Sequence, residues 1–202
     1  MAENDSQWRG TSPEERSEDR RDRLLTSCLE LVGSDGAGAL AVRAVCRQAG
    51  VSHRYFYELF ADVDTLLVAT YERAVGELLA GVTAAIPEGG DPSTALRDSF
   101  DAATDFLQRH PLQGRLIFSE ALTHARLRDR AVQVLPGFLR AVYGVAVAPG
   151  HSGPSELQTM MLAGGLAALF TEWLSGTASF TRRELVAYCT SATVALLSLD
   201  AG

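Results

Sequence analysis

The stretch LAVRAVCRQAGVSHRYFYELF, residues 40–60, decides the fold of this 202-residue chain. Apolar residues repeat at helical spacing up to Ala49, which predicts a short helix. Gly50 permits the left-handed backbone that a tight turn needs, and the Ser52 hydroxyl is suited to cap a following helix. The pattern predicts two short helices joined by a sharp turn. This geometry places a second helix in the major groove of DNA.

The second helix of this stretch divides into two faces. Val51, Phe56 and Phe60 fall on the inward side, so the polar and aromatic residues between them face outward. An outward arginine forks onto a guanine edge or clamps a phosphate, while hydroxyl groups suit phosphate oxygens. The predicted DNA contacts, including one residue of the preceding helix, are Arg43, Ser52, His53, Arg54, Tyr55 and Tyr57. The alternative interpretation is a small helical bundle with a few exposed aromatic residues.

The charge of the chain is unevenly distributed. The net charge is −7, which argues against a protein that coats nucleic acid through bulk charge. All 18 basic residues are arginines, and six of them lie within residues 20–57 against three acidic residues. This local positive balance is compatible with phosphate contacts at one end of the molecule.

The longer segment AGVSHRYFYELFADVDTLLVATYERA, residues 49–74, resembles the signature of the TetR family of transcriptional regulators. The resemblance is strong over about residues 20–75 and further along rests on the arrangement of helices. It implies a homodimer that binds a palindromic operator in double-stranded DNA, with the last two helices of each copy forming a four-helix bundle. Three positions depart from the family pattern, and two of them remove expected phosphate contacts: Ala41, Leu59 and Val63.

Helical periodicity continues to the end of the chain and predicts an all-α fold. After the first three helices we expect a long helix over 64–85, then helices over 96–109, 111–118, 122–147, 155–174 and 182–199. Pro136 is expected to kink or split its helix, and a loop is expected over 148–154.

We divide the sequence into three parts. Residues 1–19 are expected to form a disordered arm, 20–63 the helix-turn-helix domain, and 64–202 an effector-binding and dimerisation domain. The arm is polar and has no apolar period. An alternative role for it is that Arg9, Arg16 or Arg20 reaches into a minor groove.

The resemblance also implies a pocket for a small apolar effector between the helices of the C-terminal domain. The candidate lining residues are Phe100, Thr104, Phe118, Phe138, Tyr143 and Trp173. Aromatic residues at helical spacing are more often ordinary core, so a regulator with a filled core and a protein partner stays open as an alternative. A cavity large enough for a ligand would separate the two.

Other classes of protein lack support in the sequence. There is no glycine-rich phosphate loop, nucleophile elbow or HExxH helix, so we expect no enzyme and no cofactor. Cys28, Cys46 and Cys189 have neither disulfide-like nor zinc-like spacing, and no metal is expected. With no apolar run near 18 residues and no secretory signal at the first residues, we expect no membrane contact and a cytoplasmic location. The expected function is a repressor that a small apolar ligand releases from its operator.

Overall fold

The computed structural model describes residues 12–87, 91–146 and 153–199, and in these ranges every regular element is helical. The all-α prediction is confirmed. The first three helices are α1 (Pro13–Asp35), α2 (Val42–Ala49) and α3 (His53–Leu59), with a single 3-10 turn at Ala37–Ala39 between α1 and α2. Together they form the predicted three-helix unit at the N-terminal end.

Helix α1 begins at Pro13, so residues 13–19, expected within a disordered arm, are helical instead. The Ser12 side chain accepts a hydrogen bond from the Glu15 amide at 3.0 Å, and the Glu15 carboxylate accepts one from the Ser12 amide at 2.6 Å. This capping box, with Pro13 in the first turn, starts the helix without any apolar period. The rest of the predicted arm, including Arg9, lies outside the described residues.

The remaining helices carry the rest of the chain. They are α4 (Val63–Ala84), α5 (Pro92–Arg109), α6 (Pro111–Gly114), α7 (Ala121–Thr123), α8 (Ala125–Ala146), α9 (Glu156–Leu174) and α10 (Arg182–Leu197). Each of α4, α5, α9 and α10 starts at a side-chain cap, supplied by Asp62, Asp91, Ser155 and Thr181. The predicted starts of α4, α9 and α10 lie within one residue of the observed ones, whereas α5 starts at Pro92, four residues before the predicted start, because Asp91 caps it there.

Two predicted helices have a different form in the structure. The helix expected over 111–118 is instead α6, a π-helical segment at Arg115–Glu120, and α7. Helix α8 runs unbroken through Pro136, so the predicted split does not occur. Of the loop predicted over 148–154, only residues 153 and 154 are described, and they are not helical.

A continuous apolar core joins the N-terminal unit to the rest of the chain. Leu24, Leu25 and Cys28 of α1 are buried together with Leu66 and Leu67 of α4. The same core extends through α5, α8 and α9 to Leu185 and Cys189 of α10. Among the described residues no helix is both long and apolar enough to cross a bilayer. The N-terminal unit therefore packs directly on α4 through this shared core.

Candidate nucleic-acid interface and effector cavity

The turn between α2 and α3 has the backbone predicted for it. Gly50 adopts φ 62° and ψ 33°, the left-handed conformation that favours glycine. The Val51 amide donates to the Cys46 carbonyl at 3.0 Å and closes the end of α2. The Ser52 hydroxyl accepts from the Tyr55 amide at 3.4 Å and caps α3. The turn thus fixes the direction of α3 relative to α2.

The inward face of α3 is buried as predicted. Val51, Phe56 and Phe60 are 6%, 0% and 3% exposed, and the ring centroids of the two phenylalanines lie 6.0 Å apart. Because these contacts fix the inward side of α3, the residues from His53 to Glu58 other than Phe56 face solvent, while Leu59 packs partly buried against the core. The burial of these three residues determines which side of α3 faces the core.

The outward residues of α3 are all accessible. Tyr55 and Tyr57 are 43% and 60% exposed, and the Arg54 side chain is 86% exposed. Ser52 and His53 are exposed as well. The residues predicted to touch DNA therefore form one continuous surface at the N-terminal end of α3. Whether they contact a duplex stays a prediction.

Arg43 stands beside this surface on α2 and is also exposed. Ala41 precedes α2 without a side-chain cap, as its departure from the family pattern implies. Uncapped amides at a helix start are donors available to a phosphate. Arg43 and the start of α2 thus extend the polar surface of α3.

Two side-chain contacts on this surface are absent from our sequence interpretation. The Arg54 Nε donates to the Glu58 carboxylate at 3.1 Å, a pair at i,i+4 spacing that the sequence does contain. The Arg20 guanidinium of α1 lies 4.4 Å from the centre of the Tyr55 ring. This cation-π contact joins helices far apart in sequence, and no local pattern reveals it.

A polar cluster, which we call the clasp, connects the turn after α1 to the π-helical segment. One Glu120 oxygen accepts from the Ala37 amide at 2.9 Å, and the other accepts from the Arg115 Nε at 3.0 Å. Arg115 also donates to the Gly33 carbonyl at 2.7 Å. Glu120 is only 8% exposed, so its charge depends on these partners. The clasp ties the N-terminal unit to the π-helical segment.

The sequence contains one signal for the clasp that we did not use. Glu120 is a charged residue beside the apolar run Leu116, Ile117 and Phe118, and a buried charge needs a partner. Periodicity alone does not identify that partner, because Ala37 lies 83 residues away.

The C-terminal helices enclose an apolar cavity of about 110 Å³. It lies between α4, α5, α8, α9 and α10, beside the stacked rings of Phe118 and Phe170, whose centroids are 5.5 Å apart. Four of the predicted lining residues meet there: Phe100, Phe118, Phe138 and Tyr143. Their binding of a ligand stays a prediction.

The structure places the other two predicted lining residues outside the cavity wall. The Thr104 hydroxyl donates to the Phe100 carbonyl and accepts from the Arg182 Nε at 2.8 Å, so it belongs to the contact between α5 and α10. Trp173 packs edge-on against Phe170, with centroids 6.2 Å apart, one turn away from the cavity. Thr104 is one residue from the cavity residue Ala103 and so points to another side of α5, whereas Trp173 follows Phe170 by one turn on the same side of α9 and lies beyond the end of the cavity.

A wider groove of about 380 Å³ adjoins the cavity between α8 and α9. Both spaces share one wall, which we call the partition: Leu78, Phe118, Leu135, Phe138 and Ala167. Tyr71 of α4 lies in the groove, and burial raises the pKa of its hydroxyl to about 12. The groove is mostly apolar, with Arg128 of α8 also among its lining residues.

Thr193 of α10 is a cavity residue that our sequence interpretation missed. It is 5% exposed and lines the cavity, and its hydroxyl oxygen has no hydrogen-bond partner. Leu185, Cys189 and Thr193 follow at four-residue spacing, so a hydroxyl interrupts an apolar stripe. That interruption is a signal in the sequence that could have identified the position.

Curated relatives of this chain are transcriptional regulators. It is 28% identical over 164 residues to the HTH-type transcriptional activator FasR of Mycolicibacterium smegmatis, covering 78% of this chain and 74% of that protein. It is 31% identical over 87 residues to the HTH-type transcriptional regulator BetI of Rhizobium meliloti, covering 41% of this chain and 43% of that protein. No family model matches the chain.

Solved structures share the fold at low sequence identity. The fatty acid degradation regulator FadR of Bacillus halodurans superposes with a TM-score of 0.67 at 16% identity, over 89% of this chain and 95% of that one. A TetR transcriptional regulator from Rhodococcus sp. RHA1 gives 0.64 at 21% identity, over 90% and 96%. The predicted resemblance to the TetR family is thereby confirmed in the fold.

Proposed function

We propose that this chain, a transcriptional regulator of the TetR type in its fold, binds a palindromic operator as a homodimer in the cytoplasm and is released by a small apolar ligand. The observation that carries DNA binding is the exposed polar face of α3, held outward by the burial of Phe56. A helix that presents arginine, histidine and tyrosine beside a second helix start has the chemistry of a major-groove reader.

Each residue of the surface has a distinct role in this proposal. Arg54 reads a guanine edge with its two parallel donors or clamps a phosphate. Tyr57 and Ser52 hydrogen-bond to phosphate oxygens, while His53 and Tyr55 contact base edges or thymine methyl groups. Arg43 binds backbone or base at the adjacent helix.

Contacts around α3 prepare this surface for DNA. The Glu58 carboxylate competes with DNA for Arg54, so the arginine leaves an exposed ion pair of small strength when it binds. The Arg20 guanidinium stacks over the Tyr55 ring and places a second positive charge near the DNA-contacting side of α3. Both contacts limit the rotamers of the reading side chains before a duplex arrives.

Dimerisation is supported by the outer surface of α9 and α10. Leu157, Met161 and Tyr188 are 80%, 69% and 64% exposed, and the small residues Gly164 and Gly165, also exposed, follow on α9. Large apolar side chains exposed on neighbouring helices are typical of a protein interface. Two copies joined there would supply the two recognition helices, about 34–36 Å apart, that a palindromic operator requires.

Release by a ligand requires that the cavity be coupled to the DNA-binding unit. Helix α4 begins three residues after Phe60, so it continues directly from the helix-turn-helix. The clasp provides a second connection, because Phe118 lines the cavity while Glu120, two residues later, holds Ala37. A ligand that displaces Phe118 would move both connections, provided that it binds the displaced form more tightly.

The test of DNA binding is fluorescence anisotropy with a labelled fragment from upstream of the protein's own gene. We expect saturable binding that weakens with salt and is competed by the same fragment but not by a scrambled one. A dimer mass at working concentration, from sedimentation equilibrium, tests the assembly. Equal affinity for both fragments would refute sequence-specific binding.

A second candidate is regulation by activation, which the name of the relative FasR favours. The same DNA surface serves both, so the structure of the monomer does not distinguish them. In vitro transcription from the bound promoter separates the two, because a repressor lowers transcript yield and an activator raises it.

A further inference from the structure

We propose that Glu58 is a specificity-determining residue of the DNA-binding surface and that its carboxylate accepts a hydrogen bond from the amino group of a cytosine in the operator. This inference rests on the proposed function and assigns a base-reading role to a residue outside the predicted DNA contacts. It depends on three features: the position of the carboxylate on α3, its isolation among basic residues, and the donors that the major groove offers.

Glu58 lies on the same side of α3 as the residues proposed to read DNA. It follows Arg54 by four residues and Tyr55 by three, and residues at these spacings share one face of a helix. Its side chain is 48% exposed, and its Oε1 atom accepts a hydrogen bond from the Arg54 Nε at 3.1 Å. A duplex that contacts Arg54 and Tyr55 therefore also meets the carboxylate of Glu58.

Glu58 is the single acidic residue in the sequence between positions 36 and 60. The same stretch contains three arginines, Arg43, Arg47 and Arg54. A carboxylate on a surface that otherwise attracts phosphate lowers the affinity for every duplex, because it repels the negatively charged backbone. Helix stability does not explain its presence, since an exposed i,i+4 ion pair contributes little. A contact that only the correct sequence supplies would offset the repulsion and make it selective.

The base edges of the major groove determine which contact this is. When Arg54 turns to DNA, the Glu58 carboxylate loses its donor and needs another one. Guanine and thymine present acceptors there, and adenine presents its amino group beside the N7 acceptor, which would repel a carboxylate oxygen. The N4 amino group of cytosine has no such neighbour, so it is the donor that suits Glu58. Because Arg54 and Glu58 lie within hydrogen-bond distance, this cytosine belongs to the base pair that Arg54 reads or to the next one.

The experiment compares the wild type, Glu58→Gln and Glu58→Ala in anisotropy titrations with the upstream fragment and with the scrambled one. Glu58→Gln removes the charge and keeps the length of the side chain, so its affinity for the scrambled fragment should rise about twofold to fivefold. Both variants should lower the ratio of upstream to scrambled affinity, Glu58→Ala by about fivefold or more because it also removes the acceptor. An unchanged or larger ratio in Glu58→Ala would overturn the inference.

The matched control is Asp19→Asn on α1. Asp19 forms an i,i+4 pair with Arg23 at 3.2 Å, and both side chains are exposed. The variant removes the same charge from outside α2 and α3, so it should change the affinities for both fragments by one factor and leave their ratio as in the wild type. A ratio that falls equally in Asp19→Asn would assign the effect to total charge and overturn the role of Glu58.

Fragments with single base-pair changes identify the base that Glu58 reads. In the wild type, replacement of one G·C pair in each half-site should weaken binding by about 5- to 150-fold, and Glu58→Ala should lose this preference. Loss of preference at no position, or at an A·T pair, would contradict the assignment to cytosine.

The Arg54→Ala background tests whether Glu58 acts only as the partner of Arg54. Titrations at low salt keep the weaker complexes measurable. Adding Glu58→Ala to Arg54→Ala should still lower the ratio of upstream to scrambled affinity, and a ratio that no longer responds would overturn the inference.

The same titrations separate the two proposals. A wild type that binds the upstream and scrambled fragments equally refutes the regulator. A wild type that distinguishes them, with Glu58 variants that distinguish them equally well, overturns only the role of Glu58.

Discussion

The two functional regions of this molecule differ in how they are built. The proposed DNA-facing surface, formed by α3 and the start of α2, comes from a single stretch of about twenty residues and is exposed around a few buried residues. The cavity needs residues from five helices between Leu78 and Leu197. The first region is defined by local periodicity and one turn, and the second by the packing of distant helices. A substitution should therefore act on one region without the other, unless it touches the elements that connect them.

The largest expected effect is on the DNA-facing surface. Arg54→Ala and Tyr57→Ala should each weaken operator binding, Arg54→Ala by about 5- to 150-fold because it removes a forked contact. Anisotropy titrations at fixed salt measure this change. Arg140→Ala on α8, another exposed arginine, which does not belong to the α2–α3 surface, is the control and should bind like the wild type. Full affinity in both surface variants would mean that the contact face lies elsewhere.

The next effect concerns the clasp, which joins the two regions. Glu120→Gln keeps the size of the side chain but removes the charge that Arg115 and the Ala37 amide share. We expect a loss of about 1.5–3 kcal/mol in the free energy of unfolding, because hydrogen bonds to a buried charge are strong. Urea denaturation measures it.

The control for the clasp is an ion pair on the surface. Asp105→Asn breaks the exposed pair with Arg109 and should cost no more than about 1 kcal/mol. If the clasp couples the regions, Glu120→Gln should also reduce the change in operator affinity that a bound apolar effector causes. An unaltered ligand response would leave the continuous α4 as the coupling element.

A smaller effect follows from the cap of α4, at the border between the regions. Hydrogen bonds from the Thr65 hydroxyl and amide lower the pKa of Asp62 below its ordinary value of 3.8. Because the folded pKa is the lower one, the cap's contribution is complete above pH 3.8 and is lost as the pH falls through the folded value. Asp62→Asn should flatten the acid side of the stability profile, measured by thermal unfolding at several pH values. An identical profile in the variant would assign acid sensitivity to other carboxylates.

The smallest effect is kinetic and compares two thiols. Burial raises the pKa of Cys28 in α1 and of Cys189 in α10 to about 11 in each case. Both should react slowly with a thiol reagent at pH 8, and denaturant should make them fast. A saturating apolar effector should slow Cys189 more than Cys28, because only Cys189 shares α10 with the cavity residue Thr193. Single-cysteine variants allow each rate to be followed alone.

Whether a structural feature could be predicted from the sequence depends on whether the contacts that form it are local. The exposure of Arg54 and Tyr57 and the burial of Phe56 follow from the period of one short helix, so they were predictable. The start of α1 was missed because a capping box at Ser12, not an apolar stripe, begins it. The π-helical segment was also missed, since no composition distinguishes it from an α-helix. For Thr104 the sequence identified the correct helix but not the correct side, and for Trp173 it did not identify where the cavity ends along α9.

Substitution of two adjacent glycines on α9 offers a test for a partner molecule bound at that surface. A methyl group added at Gly164 or Gly165 meets no atom within 4 Å from the rest of the chain that the structure describes, beyond its own helix backbone. Alanine there should strengthen an isolated helix by roughly 1 kcal/mol per site. If both replacements lower the thermal stability of the protein, or make its assembly dissociate more readily on dilution, the added methyl groups must clash with another molecule. That molecule then contacts the α9 backbone at Gly164 and Gly165.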